Sequence, residues 1–198
     1  MRSILLAIVV ASIGVVLAGC DNAALLRHDA ASQEAAASAR SPIVNSAAPD
    51  FSLPDQDSQQ VTLSKTKGQW VVLYFYPKDD TPGCTCEATE FTHVIEQFRD
   101  MHAAVYGVST DSVQTHKLFI TKYKLGLNLL SDSDHHVMSA YGAYVTSRLG
   151  DAPYERVIRS TVLIDPQGVI RYHWPEVIPS GHAERVRAKL AELQSKPK

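Results

Sequence analysis

With 198 residues, 45% of them apolar, the chain can bury one ordinary core, and nothing in it suggests two. A formal net charge of −2 with no block of like charge gives no basis for binding nucleic acid or a polybasic membrane contact. No internal repeat is present.

The first residues read as an export segment, not as part of the fold. Arg2 precedes an apolar run from Ile4 to Ala18 that is broken only by Ser12 and Gly14 and ends in Leu17-Ala18-Gly19-Cys20. A charged start, a short apolar stretch and small residues at the cut describe a signal peptide over residues 1–19. Its ending resembles a bacterial lipoprotein box, which implies that Cys20 becomes the lipidated first residue of the mature chain. The rival reading is an uncleaved anchor helix, for which the run is somewhat short. Asp21 resembles the inner-membrane retention signal of enteric bacteria, so the expectation is an exported lipoprotein on the periplasmic side of the inner membrane. Residues 20–47, rich in Ala and Ser, read as a tether reaching on the order of 30 Å as a coil.

One α/β domain is expected over residues 48–194, with a tail at 195–198. Pro49 to Leu63 reads as extended, with Phe51 and Leu53 on one face and a turn at Asp55-Gln56-Asp57. Trp70 to Tyr76 is apolar at nearly every position, as a strand covered on both sheet faces must be. Phe91, Ile95 and Phe98 then recur at helical spacing in a helix running to Asp100. A second buried strand covers Ala104 to Ser109, and a helix from Ser112 carries His116, Phe119, Ile120 and Tyr123 on one side. Leu129-Leu130 is a brief strand and His135 to Tyr141 a short helix, followed by a polar, Gly/Pro-rich loop. Arg159 to Ile164 and Val169 to Trp174 form a hairpin around Asp165-Pro166-Gln167-Gly168, which suits a type I turn. The last helix starts near Ser180 and lines up Val186, Leu190 and Leu193. This order predicts a three-layer α/β plan.

The chemistry concentrates in Pro77-Lys78-Asp79-Asp80-Thr81-Pro82-Gly83-Cys84-Thr85-Cys86, between the central strand and its helix. Thr81 suits the N-cap and Pro82 the first helical position, while Gly83 leaves the backbone open to close approach. Cys84 then falls in the first turn, where free N–H groups and the helix dipole favour an anion and so a nucleophilic thiolate.

Pro77, Thr81 and Cys84 are spaced as in the active-site loop of peroxiredoxins, and the run Tyr-Phe-Tyr-Pro-Lys-Asp-Asp-Thr-Pro-Gly-Cys-Thr resembles the peroxiredoxin Q / bacterioferritin comigratory protein branch. The likeness extends from Ala48 to Leu193 and includes Ala48-Pro49-Asp50-Phe51, Arg159-Ser160-Thr161-Val162-Leu163-Ile164-Asp165 and Gly181-His182-Ala183-Glu184. It implies a thioredoxin-like fold with a central mixed sheet flanked by helices, and a thiol peroxidase that needs no cofactor and no metal. Cys84 would be the nucleophile that becomes a sulfenic acid. The Thr81 hydroxyl would reach sulfur and peroxide, Pro77 would shield the thiolate, and Arg159 would bind sulfur and oxygen together. From the residues alone, Thr81 also reads as a simple cap, Pro77 as a strand terminator and Arg159 as an exposed strand end, with Arg148 and Arg156 as loop alternatives.

The chain departs from its branch at position 89, where many members carry a resolving cysteine and this one has Thr89. Cys86 is the remaining candidate, but residues i and i+2 point to different sides of a helix, so a Cys84–Cys86 bond requires unwinding. The favoured cycle is therefore one-cysteine, resolved by an external small thiol or a thioredoxin-like partner and compatible with Cys86 as a passive helix residue, with Cys86 as resolver the second choice. The partners expected are a peroxide, such a reductant and the membrane through the Cys20 anchor, for a monomer or weak dimer. Two further classes are a thiol–disulfide oxidoreductase using Cys84 and Cys86, and a thioredoxin-like copper metallochaperone, to which His135-His136 could contribute.

Overall fold

A computed structural model of the chain describes residues 44–149 and 152–195. The predicted signal peptide, Cys20 and most of the predicted tether lie outside the described residues, as do residues 196–198 of the tail. The chain opens with a small hairpin, β1 (Ser52–Pro54) and β2 (Gln60–Thr62), in which Leu53 pairs with Val61. Its buried Phe51 and Leu53 alternate as expected, around the turn predicted at Asp55.

The domain is built on β3 (Trp70–Phe75), a run of β-branched and aromatic residues fully buried from Val71 onward. Its side chains alternate between two cores. Val72 and Tyr74 face the side that also holds Cys84, Phe91, Phe98 and Leu190. Val71, Leu73 and Phe75 face the side holding Phe51, Met138, Tyr141 and Ile170. This two-sided burial explains the continuous apolar run in the sequence.

Five strands form the sheet in the order β5-β4-β3-β8-β9. β4 (Ala103–Ser109) and β5 (Asn128–Ser131) run parallel to β3, each reached through helical crossovers. β8 (Ser160–Ile164) and β9 (Ile170–Trp174) add the antiparallel edge through the predicted Asp165–Gly168 turn. The helices are α1 (Pro82–His93), α2 (Ile95–Asp100), α3 (Val113–Tyr123), α4 (His136–Ala140) and α5 (His182–Ser195). The result is a thioredoxin-like mixed sheet flanked by helices.

Gly107 lies opposite Tyr74 in the ladder, and a Cβ there would stand 2.5 Å from the Tyr74 hydroxyl. Only glycine leaves that room, so Tyr74 can lie across β4 and stack on Phe91 with ring centroids 4.8 Å apart. Phe91 is 0% exposed, and its truncation to Ala would cost about 3–5 kcal/mol.

Two expectations need correction. The cysteine helix does not run unbroken to Asp100: it stops at Val94 (φ −110°, ψ 13°) and α2 restarts at Ile95. Thr92, Val94 and Ile95 are β-branched and weaken the helix there, while Phe91 and Phe98 stay buried on either side of the break. The loop expected after Tyr141 contains an isolated hairpin, β6 (Tyr144–Leu149) and β7 (Ala152–Val157). It pairs only with itself; Tyr144 and Val157 at its base pack against the second core, and the mixed residues between them show no strand period.

Candidate active site

The loop from Pro77 to Thr81 carries the chain from the end of β3 to the start of α1. Thr81 occupies the N-cap with extended backbone (φ −90°, ψ 150°) and Pro82 follows at the first helical position, as predicted. The Thr81 hydroxyl does not cap the helix; it donates to the Lys78 carbonyl at 3.0 Å. Pro77 is exposed, and the buried member of this loop is Asp79, 4% exposed.

Cys84 is the third residue of α1 and is 2% exposed, within the core that holds Tyr74 and Phe91. Its sulfur is nonetheless not in purely apolar surroundings. Arg159, just before β8, places Nη2 3.1 Å from Sγ. The same guanidinium binds a Glu87 oxygen through Nη1. Arg159 is fixed from behind, because its carbonyl accepts the Val177 N–H at 2.9 Å. The loop from Val177 to Gly181 then brings Pro179 against Gly83. A Cβ at Gly83 would meet Arg159 Nη2 and Pro179 Cγ at 3.5 Å, an ordinary contact, so the neighbour that closes over this glycine is the protein's own arginine. Arg156, one of the sequence alternatives, is exposed.

Glu87 was not singled out from the sequence. It lies one helical turn after Cys84, on the same face, and is 0% exposed. Burial raises its carboxyl to about 7, against the opposing pull of Arg159. Burial also works against the charge on Arg159, but Glu87 and Cys84 outweigh it and hold the guanidinium above its ordinary value. The three groups therefore share one positive charge between two acidic sites in a nearly dry space.

Cys86 belongs to different surroundings. It is exposed, and its sulfur lies 3.7 Å from Glu90 Oε1, which also accepts the Gly181 N–H at 2.8 Å. Burial and then Glu90 push the Cys86 thiol up, which favours the unreactive protonated form. Cys84 and Cys86 are both free.

The histidine pair is split. His135 caps α4 in a left-handed conformation (φ 61°) and packs edge-on against Tyr144, whereas His136 is exposed. Among the described residues no three His, Cys, Asp or Glu side chains gather as metal ligands. His182, at the start of α5, is buried with Nε2 2.8 Å from the Thr161 hydroxyl, and burial, then Arg185 and Arg159, lower it to about 4.

A thioredoxin-like sheet thus brings an arginine to a cysteine in the first turn of a helix. The AhpC/TSA family model matches residues 44–173, and the chain belongs to that family. Within it the chain falls in the peroxiredoxin Q/Bcp branch of thiol-dependent peroxidases. The Bacillus subtilis peroxiredoxin Bcp is 37% identical over 149 residues, covering 75% of this chain and 95% of that one. The bacterioferritin comigratory protein of Xanthomonas campestris, solved as trapped intermediate and ligand complexes in work on its alkyl peroxide reduction activity, superposes with a TM-score of 0.70 at 34% identity, covering 72% of this chain and 91% of that one. A Xylella fastidiosa peroxiredoxin Q mutant gives a TM-score of 0.70 at 35% identity, over 78% of this chain and all of that one.

Proposed function

We propose that this peroxidase reduces hydrogen peroxide and organic hydroperoxides through Cys84 alone, from a tethered position in the cell envelope. The observation that carries the reading is Arg159 Nη2 at 3.1 Å from Cys84 Sγ. The thiolate attacks one peroxide oxygen; the O–O bond breaks, sulfur becomes a sulfenic acid, and the departing oxygen takes a proton to leave as water or alcohol. Arg159 spans sulfur and substrate, so it stabilises the charge as it moves from one to the other. The alkyl peroxide reduction described for the Xanthomonas protein supports organic hydroperoxides as substrates.

An external thiol then condenses with the sulfenic acid, releasing water, and a second thiol frees Cys84 as a disulfide leaves. Thr89 at the usual resolving position and the separate, Glu90-facing setting of Cys86 support this one-cysteine cycle. The same separation weighs against a dithiol oxidoreductase. The Leu17–Cys20 ending supports lipidation at Cys20 and the envelope location. Fractionation of cells expressing the full chain tests the location: the protein should pellet with membranes and move to the soluble fraction in Cys20→Ser. A soluble parent chain would end that part of the reading.

A further inference from the structure

Two consecutive acidic residues just before Cys84 are both gripped by α3. Asp79 turns inward: its carboxylate takes the His116 Nδ1–H at 2.7 Å and the Tyr76 hydroxyl at 2.7 Å. Its own N–H donates to Asp111 at 2.8 Å, and Asp111 is held in turn by the Ser109 hydroxyl at 2.8 Å. Asp80 turns outward, with φ at 58°, a conformation that side-chain-bearing residues rarely adopt without outside support. That support comes from Lys122 Nζ, 2.6 and 2.7 Å from its two oxygens, and from the Tyr123 hydroxyl at 2.6 Å. His116 and Tyr123 are seven residues apart, two turns along one face of α3. Thr81 follows at once and is pinned back to Lys78.

We infer that α3 is the positioning element of the peroxidase: Asp79–His116 and Asp80–Lys122/Tyr123 clamp the loop so that Cys84 stays seated against Arg159. Nothing in peroxide chemistry requires these residues to touch substrate, and their effect passes through the placement of Cys84. A loop clamped at two points holds the sulfur in its reactive seat, but it also keeps the sulfenate in a space that a bulky thiol enters poorly. Because no other described cysteine faces Cys84, the clamp then sets how the sulfenate is spent. It is either reduced by an external thiol or oxidised by a second peroxide, Cys–SO⁻ + ROOH giving Cys–SO₂⁻ + ROH. A tight clamp speeds peroxide capture and raises loss to sulfinate; a loose one does the reverse.

This inference rests on Cys84 being the peroxide-reactive thiol, and the experiment separates the two. The rate of Cys84 oxidation by hydrogen peroxide and the rate of sulfenate reduction by a protein dithiol are measured for the parent chain, Asp80→Asn and Tyr123→Phe. The two variants lie at the exposed end of the clamp, where folding is least at risk, and each checks the other. The expected result is a peroxide rate lowered by about tenfold with dithiol reduction faster and less sulfinate by mass at high peroxide. A merely structural role would slow both rates together, and that outcome, or unchanged rates in both variants, overturns the clamp. A parent chain whose Cys84 does not react with peroxide overturns the underlying reading instead.

Discussion

Arg159 Nη2 lies 3.1 Å from Cys84 Sγ although 75 residues separate them in the chain, and the same guanidinium holds Glu87. The sheet makes this meeting possible, because β3 and β8 are neighbours: β3 ends at the cysteine loop and β8 begins beside the arginine. One cation thereby serves two buried side chains, a thiol and an acid.

Replacing that cation separates its two duties. Arg159→Lys keeps a charge but loses the planar fork, so oxidation of Cys84 by peroxide should slow by about a hundredfold in stopped-flow measurements. Arg159→Met should lower the rate at least as far and also destabilise the fold by about 1–3 kcal/mol, because Glu87 is left buried without its partner. Denaturant titration of both variants checks the second effect.

Glu87 should impose a pH dependence of known sign. Its folded-state value of about 7 lies above the ordinary 4.5, so its contribution to stability is full below about 4.5 and is lost as pH rises through about 7. The loss is on the order of 3 kcal/mol. His173 and His182, lowered to about 4 chiefly by burial, act the other way: their contribution is present above 6.5 and lost as pH falls towards 4. Glu87→Gln should remove only the first trend. Raising the pH from 5 to 8 should then shift the urea midpoint upward more in the variant than in the parent, because the histidine trend is no longer opposed, and an equal shift in both would contradict the assignment.

Thr81 and Cys86 give contrasting expectations. The Thr81 hydroxyl is bound to Lys78 and not to the helix end, so Thr81→Val should change stability by less than about 1 kcal/mol. If the hydroxyl also steadies peroxide, the same variant slows Cys84 oxidation while Thr81→Ser retains it. Cys86→Ser should leave both peroxide oxidation and its resolution by added thiol intact, since Cys86 faces Glu90. Peroxide-consumption assays with a small-thiol reductant read both outcomes.

The sequence was most readable where local rules govern. The strand before the cysteine, the Thr-Pro helix start and the Asp165–Gly168 turn follow from periodicity, capping and turn chemistry, and each is in place. Arg159 was found through its family resemblance, and the structure shows its two buried partners, Cys84 and Glu87. Glu87 was within reach, because a charged residue three after Cys84 on an otherwise buried face is a signal in itself. Asp79 and His116 were not, since 37 residues separate them and only the crossover between β3 and α3 joins them. The β6–β7 hairpin escaped because a ribbon outside the main sheet carries no apolar alternation.

The central claim is tested most directly by treating the reduced chain with one equivalent of hydrogen peroxide and locating the product by peptide mass analysis. One added oxygen on the peptide containing Cys84, in the Cys86→Ser variant as in the parent, is the predicted result. Oxygen found on Cys86 instead, or a Cys84–Cys86 disulfide as the first product, would contradict it.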